Sequence, residues 1–92
     1  MPKDPLQTLP SIGKSLAEDL RSLGFREPND LVGADPVAMY RRLEALTGSR
    51  QDPCVLDSFR CAVYAASTES PDPALLKWWT WSRLRKEGRL PA

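Results

Sequence analysis

The amino-acid sequence contains no histidine and only two cysteines, and it has no long apolar run. The chain therefore lacks the side chain that most often serves as a general base or as a metal ligand. Two cysteines alone do not make a structural zinc site, and neither a Walker nor a dinucleotide-binding glycine pattern is present. The longest purely apolar run, residues 62–66, is far shorter than the roughly 20 residues that span a bilayer. These absences predict a soluble, cytoplasmic protein that is not an enzyme and has no cofactor and no metal.

The two cysteines, Cys54 and Cys61, lie seven positions apart on one predicted helix. Their Cα atoms would be about 10 Å apart, which is too far for a disulfide. We expect two reduced and mostly buried thiols. Cys54 falls in the first helical turn, where the helix dipole lowers a thiol pKa, and Arg50 is close in sequence. Without a histidine base, a small packed side chain is still the preferred interpretation of Cys54.

Nine prolines and five glycines divide the 92 residues into short segments. Aspartate caps a helix start and proline suits its first position, so the Asp-Pro pairs at residues 4–5, 35–36, 52–53 and 72–73 predict four helix starts. Gly13 is the predicted N-cap of a further helix that ends at Gly24, and Asn29 is predicted to cap a short turn. The pattern predicts one all-α domain over residues 1–92, built as a bundle of about five to six short helices with two longer C-terminal helices packed on it.

Within this domain, residues 5–47 contain two segments of similar layout, each a short turn, a glycine-bearing bend and a longer helix. Residues 52–87 are predicted to form the C-terminal helical pair, and residues 88–92 a flexible tail. The helix from residue 52 has the broadest apolar stripe and should be the most buried. On the helix after Pro36, five residues are predicted to face the core: Val37, Met39, Tyr40, Leu43 and Leu46.

Three tryptophans within four positions of the last helix cannot all face the core. If the helix is continuous from residue 73, 100° per residue places Trp79 inward together with Leu75 and Leu76. The outward face would then be aromatic and basic, with Lys77, Trp78, Trp81 and Arg85. Such a face suits either stacking on exposed bases or tryptophans that cover a small core under arginine stems, and the second interpretation is preferred.

The segment LPSIGKSLA, residues 9–17, predicts an anion site at a helix start. Pro10 forces a turn, and the apolar spacing after Gly13 is that of a one-faced helix. The first amides of a helix have no partner within it, and a glycine leaves room for a ligand to approach them. Lys14 adds a positive charge and Ser15 a hydroxyl donor. The alternative is a plain helix-to-helix turn in which Ile12 fills the core.

This segment resembles the helix-hairpin-helix motif, whose core reads L-P-G-I-G and whose amides hold a DNA phosphate without reading sequence. The resemblance implies a tandem helix-hairpin-helix, SAM-like fold and phosphate contacts at Ser11, Gly13, Lys14 and Ser15. Ser11 stands where the motif has its first glycine. The stretches TGSRQDPCVLDSFRCAVYAAS and PDPALLKWW also resemble a small bacterial family of "pathogenicity locus" proteins, and the hairpin and following helices resemble the C-terminal domain of the competence regulator TfoX.

The charge is unevenly distributed although the net charge is only +1. Residues 1–35 carry four cations against six carboxylates, net −2, whereas residues 77–92 carry five cations against one carboxylate, net +4. The predicted phosphate site thus lies in an acidic half, which disfavours tight DNA binding unless the basic end folds beside it. We therefore expect weak, sequence-independent DNA binding, accessory to DNA repair, uptake or recombination. A protein-interaction module or homodimer that uses the Trp-rich face is the alternative.

Overall fold

The computed structural model describes residues 4–91, which form four α-helices, three 3₁₀ helices and no β-strand. The α-helices are α1 (Lys14–Ser22), α2 (Pro36–Thr47), α3 (Pro53–Ser67) and α4 (Trp78–Lys86), and the 3₁₀ helices are Pro5–Thr8, Pro28–Leu31 and Pro73–Leu76. The all-α prediction is confirmed. The predicted five to six short helices are not found as such, because three of the predicted starts lead into single 3₁₀ turns. Residues 1–3 and 92 lie outside the described range, so the predicted tail of residues 88–92 is described only to residue 91.

The four Asp-Pro pairs begin helices as predicted. In each pair the aspartate carboxylate accepts a hydrogen bond from the backbone N–H two residues further on, at 2.8–3.0 Å, and so satisfies one of the free amides of the helix start. The segment at Pro28 is different. Its cap is Glu27, not the predicted Asn29, and the Asp30 carboxylate accepts a hydrogen bond from the Glu27 N–H in a capping box.

Residues 4–91 contain no helix that is long and apolar enough to cross a membrane.

The predicted final helix is divided in two, and this break changes which tryptophan is buried. Lys77 is extended, with φ −120° and ψ 121°, so the Pro73–Leu76 turn and α4 are separate elements. The helical phase of Leu75 and Leu76 therefore does not continue into α4. Trp81 is buried with 6% of its surface exposed, whereas Trp79 is 56% exposed. The predicted inward position of Trp79 and outward position of Trp81 are both wrong for this reason.

The core is made mainly of aliphatic side chains around α3. This helix packs against α2, α4 and two of the 3₁₀ helices, so the prediction that it is the most buried helix is confirmed. Ile12 of the turn before α1 is buried in the same core. Leu46, which was predicted to face the core from α2, is instead 60% exposed; it lies in the last turn of that helix, where the chain approaches its Gly48 cap.

Candidate functional site

The turn formed by residues 9–13, called the 9–13 turn below, presents the start of α1 to solvent. Gly13 caps α1 without a side-chain hydrogen bond, and the first intrahelical bond runs from the Ala17 N–H to the Gly13 carbonyl at 2.9 Å. Within residues 4–91, the N–H groups of Lys14, Ser15 and Leu16 therefore have no protein acceptor. A Cβ built on Gly13 would meet no atom within 4 Å. The start of α1 is thus an open set of donors with the chemistry to hold an anion.

Ser11 adopts a left-handed backbone with φ 70°, the conformation that glycine supplies at lower cost. Its half-buried hydroxyl points into the protein. Ser11 Oγ accepts a hydrogen bond from the Trp78 N–H at 3.1 Å and donates to Cys61 Sγ at 3.4 Å. The Cys61 thiol in turn donates to the Leu75 carbonyl at 3.5 Å. Of the four predicted phosphate contacts, Gly13, Lys14 and Ser15 thus lie together at the exposed start of α1, whereas the Ser11 hydroxyl is used internally.

The bond from Trp78 to Ser11 brings the start of α4 against the 9–13 turn. Lys77, the N-cap residue of α4, forms no side-chain cap, so Ser11 supplies the cap from 67 residues away. The Trp81 indole fixes the same region, because its Nε1–H donates to the Leu75 carbonyl at 2.8 Å. The start of α4, with Lys77 just before it, therefore lies beside the predicted phosphate site.

Arg85 attaches α4 to α3 through a two-pronged ion pair with Asp57. The Nε···Oδ1 distance is 2.9 Å and the Nη2···Oδ2 distance is 3.0 Å, and the Asp57 side chain is fully buried. Hydrogen bonding to this carboxylate raises the pKa of Arg85 above its ordinary value. Among the second group of predicted contacts, Lys77 is exposed and Trp78 is half-buried, while Trp81 and Arg85 are held by internal contacts.

A groove of about 500 Å³ lies between the start of α3 and the exposed side of α4. We call it the Trp79 groove; it is lined by Cys54, Trp78, Trp79, Ser82, Arg83, Lys86 and Glu87. The sequence reasoning missed Trp79, Arg83 and Lys86 as one surface. Their i, i+4, i+7 spacing is the signal that would have found them, but only with the helix started at Trp78 instead of Pro73.

The two cysteines are free thiols in different surroundings: Cys54 is exposed and Cys61 is buried. The prediction that both are mostly buried is therefore wrong for Cys54. The predicted lowering of the Cys54 pKa by the helix dipole is also wrong, because a hydrogen bond to the Asp52 carboxylate raises that pKa and stabilises the neutral thiol. Burial raises the pKa of Cys61, against a smaller opposing effect of the Ser11 hydroxyl. Residues 4–91 contain no group of three metal-ligating side chains.

These features define a small all-α protein with an exposed helix start beside a basic, aromatic groove. The chain belongs to the family described as Cdd1, pathogenicity locus, whose model matches residues 3–87. It is also similar to a mitomycin resistance protein, McrB, of Streptomyces lavendulae, with 37% identity over 81 residues that cover 88% of this chain and 73% of the relative. No solved structure matches the chain.

Proposed function

We propose that this protein binds DNA without reading its sequence, and that residues 5–47 do so as a tandem helix-hairpin-helix unit. The observation that carries the proposal is the open start of α1, where three backbone amides lack a protein acceptor within residues 4–91. A DNA phosphate suits this place because it accepts several N–H bonds and is attracted by the positive end of the helix. Gly13 lets the phosphate approach, Lys14 adds a full charge and Ser15 a hydroxyl donor.

The left-handed Ser11 supports the same proposal. In the helix-hairpin-helix motif a glycine occupies this position, and the serine here keeps a left-handed backbone, φ 70°, without one. The turn thus has a glycine-like backbone at Ser11, while the serine hydroxyl connects it to α4. We propose that the phosphate contacts are made by backbone amides and by Lys14 and Ser15, with Ser11 acting through the shape of the turn.

The charge of the C-terminal segment favours DNA as well. Residues 1–35 carry net −2, and one phosphate site in such surroundings gives only weak binding. Lys77 immediately precedes Trp78, whose N–H bonds to Ser11, so the backbone of this cationic residue lies next to the 9–13 turn. We expect a weak, strongly salt-dependent interaction in the cytoplasm, without catalysis and without a cofactor.

We further propose that the mitomycin resistance for which the relative is named extends to this protein.

The experiment is fluorescence anisotropy of labelled oligonucleotides, titrated with the protein at low and near-physiological salt. Lys14→Glu should weaken binding and reduce the salt dependence by about one released counterion. Arg26→Glu is the matched control, since it makes the same charge change in an exposed residue beyond the far end of α1, which is about 14 Å long. If both variants weaken binding equally, net charge and not the start of α1 is responsible.

Gly13→Val tests the backbone contact itself. The space around Gly13 is open and its φ of −88° suits any residue, so the variant should fold, yet its side chain would stand between a phosphate and the amides. We expect a loss of DNA binding with an unchanged helical circular dichroism spectrum. Full binding by a folded Gly13→Val protein would refute the phosphate site.

A protein-interaction module is the second candidate, and three exposed large apolar side chains favour it: Val32, Leu46 and Trp79 are each more than half exposed. Tryptophan is a frequent anchor in protein interfaces. If no oligonucleotide binds even at low salt, this candidate replaces DNA binding. The acidic character of residues 1–35 would then predict a basic partner surface.

A further inference from the structure

We propose that the Trp79 groove binds an unpaired base of single-stranded nucleic acid, stacked on Trp79, with the neighbouring phosphates on Arg83 and Lys86. This inference rests on the proposed DNA binding and specifies the form of nucleic acid that the protein prefers. It adds a second site with a different role: the start of α1 holds backbone phosphate, and the groove holds a base.

The position of Trp79 carries the first step. Trp79 is 56% exposed although tryptophan is the largest apolar residue, so less than half of its surface is buried in the fold. The Trp78 and Trp79 rings form a T-shaped pair with centroids 5.9 Å apart and an interplanar angle of 85°, and this contact orients the Trp79 ring. The Lys77 Nζ lies over one face of the Trp79 ring, 5.9 Å from its centroid, so a base would stack on the other face or displace the ammonium. An oriented, exposed aromatic ring next to a cation is a stacking platform for a base, since little side-chain freedom is left to lose on binding.

The cations on the same face of α4 carry the second step. Arg83 and Lys86 follow Trp79 at i+4 and i+7, so they lie about 6 and 10.5 Å along the helix from it. Within residues 4–91 neither forms an ion pair, in contrast to Arg85, which is held by Asp57. Both are exposed and line the groove. One aromatic ring followed along the helix by two cations without ion pairs suits a single strand, in which a base can stack on the ring and phosphates can contact the cations.

The groove lining also contains a thiol and a carboxylate, Cys54 and Glu87. Cys54 lines the groove as a neutral thiol, because the Asp52 carboxylate raises its pKa. Glu87 is the acidic residue of the groove lining, and its carboxylate lies 4.0 Å from the guanidinium of Arg89. The stretch of residues 77–92 has a formal net charge of +4 and stays positive when Arg85, paired with Asp57, is left out, which favours a polyanion over a neutral or basic peptide. A duplex does not offer a base to Trp79, since its bases are stacked internally.

The test compares anisotropy titrations of a labelled oligo-dT single strand and a labelled duplex of the same length, at low salt. Trp79→Ala should weaken single-strand binding by about 5- to 150-fold, the cost of one stacked base, and should change duplex binding less than twofold. Trp79→Phe should keep most of the affinity because a ring is still present. Leu46→Ala, a truncation of an equally exposed apolar residue on α2, is the control and should leave both affinities unchanged.

A second readout is the intrinsic fluorescence of the protein, which the single strand should quench in the wild type and much less in Trp79→Phe. Unchanged single-strand affinity of Trp79→Ala would overturn the groove site; if Lys14→Glu still weakened binding, the proposed DNA binding would stand without it. Absence of binding to either oligonucleotide would overturn both. Equal losses for single strand and duplex in Trp79→Ala would also refute base stacking, as would tighter binding of an acidic peptide than of the oligo-dT.

Discussion

The two halves of the chain are stabilised in different ways. Residues 5–47 bury only aliphatic and other apolar side chains, whereas every buried polar side chain in the described range lies in α3 or α4: Asp57, Ser58, Thr80 and Ser82. An apolar core accepts many side chains of suitable volume. A buried charge or hydroxyl must find one partner at one distance, as Asp57 does with Arg85. The core of the C-terminal half therefore accepts fewer substitutions than that of residues 5–47. It is also the half that carries the Trp79 groove.

The largest effect that follows from this comparison is expected from breaking the Asp57–Arg85 pair. Arg85→Leu leaves a fully buried carboxylate without its cation, so the free energy of unfolding should fall by about 3–5 kcal/mol, as for other buried pairs that lose one partner. Urea unfolding followed by circular dichroism measures it. Arg83→Leu is the matched control on the same helix and should change stability by less than about 0.5 kcal/mol, since Arg83 is exposed. Equal losses of stability in the two variants would show that the buried ion pair stabilises the protein no more than an exposed arginine does.

The stability of the apolar half, residues 5–47, should depend on the volume of its buried side chains and not on which apolar residue supplies it. Leu20 of α1 is fully buried, so Leu20→Ala should cost about 2–5 kcal/mol because it removes apolar burial and leaves a cavity. Leu20→Met keeps the volume and should cost less than about 1.5 kcal/mol. Thermal or urea unfolding of the pair checks both values. If Leu20→Met were as unstable as Leu20→Ala, the apolar core would tolerate substitution no better than the buried polar groups do.

Ser11 joins the two halves, and its substitutions separate two opposing contributions. Ser11→Ala keeps the left-handed strain and removes the hydroxyl that caps Trp78, so it should cost about 1–2 kcal/mol. Ser11→Gly removes the same hydroxyl but relieves about 1–2 kcal/mol of strain, so its stability should stay close to that of the wild type. The comparison is made by urea unfolding. If both variants lose the same stability, the left-handed backbone at Ser11 carries no strain.

The sequence predicts local features of both halves and misses the long-range ones. The Asp-Pro starts and the Gly13 cap depend on neighbours within three residues, and all of them are found. The break at Lys77 was missed because it depends on Ser11, which caps α4 from 67 residues away. The partner of Arg85 was missed for the same reason, since Asp57 is 28 residues distant and on another helix. For the candidate site, the start of α1 follows from one short motif, whereas the Trp79 groove requires the correct start of α4.

The smallest effect concerns the two thiols of α3, of which Cys54 is exposed and Cys61 is buried. With an alkylating or disulfide reagent, native protein should react at Cys54 only, because Cys61 is buried. The reaction should be slow at neutral pH: the Asp52 carboxylate raises the pKa of Cys54, so the reactive thiolate is scarcer than in an ordinary thiol. As the pH rises, the rate should continue to increase beyond the pH at which an unperturbed thiol levels off.

Asp52→Asn is the matched variant, since asparagine still caps α3 but lacks the negative charge. Removing the main cause of the raised pKa should make Cys54 react several-fold faster at neutral pH, with little change in stability. Labelling rates followed by mass spectrometry between neutral and alkaline pH measure the shift. A fast Cys54 in the wild-type protein would instead mean that the helix dipole outweighs the carboxylate, and it would revive a nucleophilic role for this residue beside the groove.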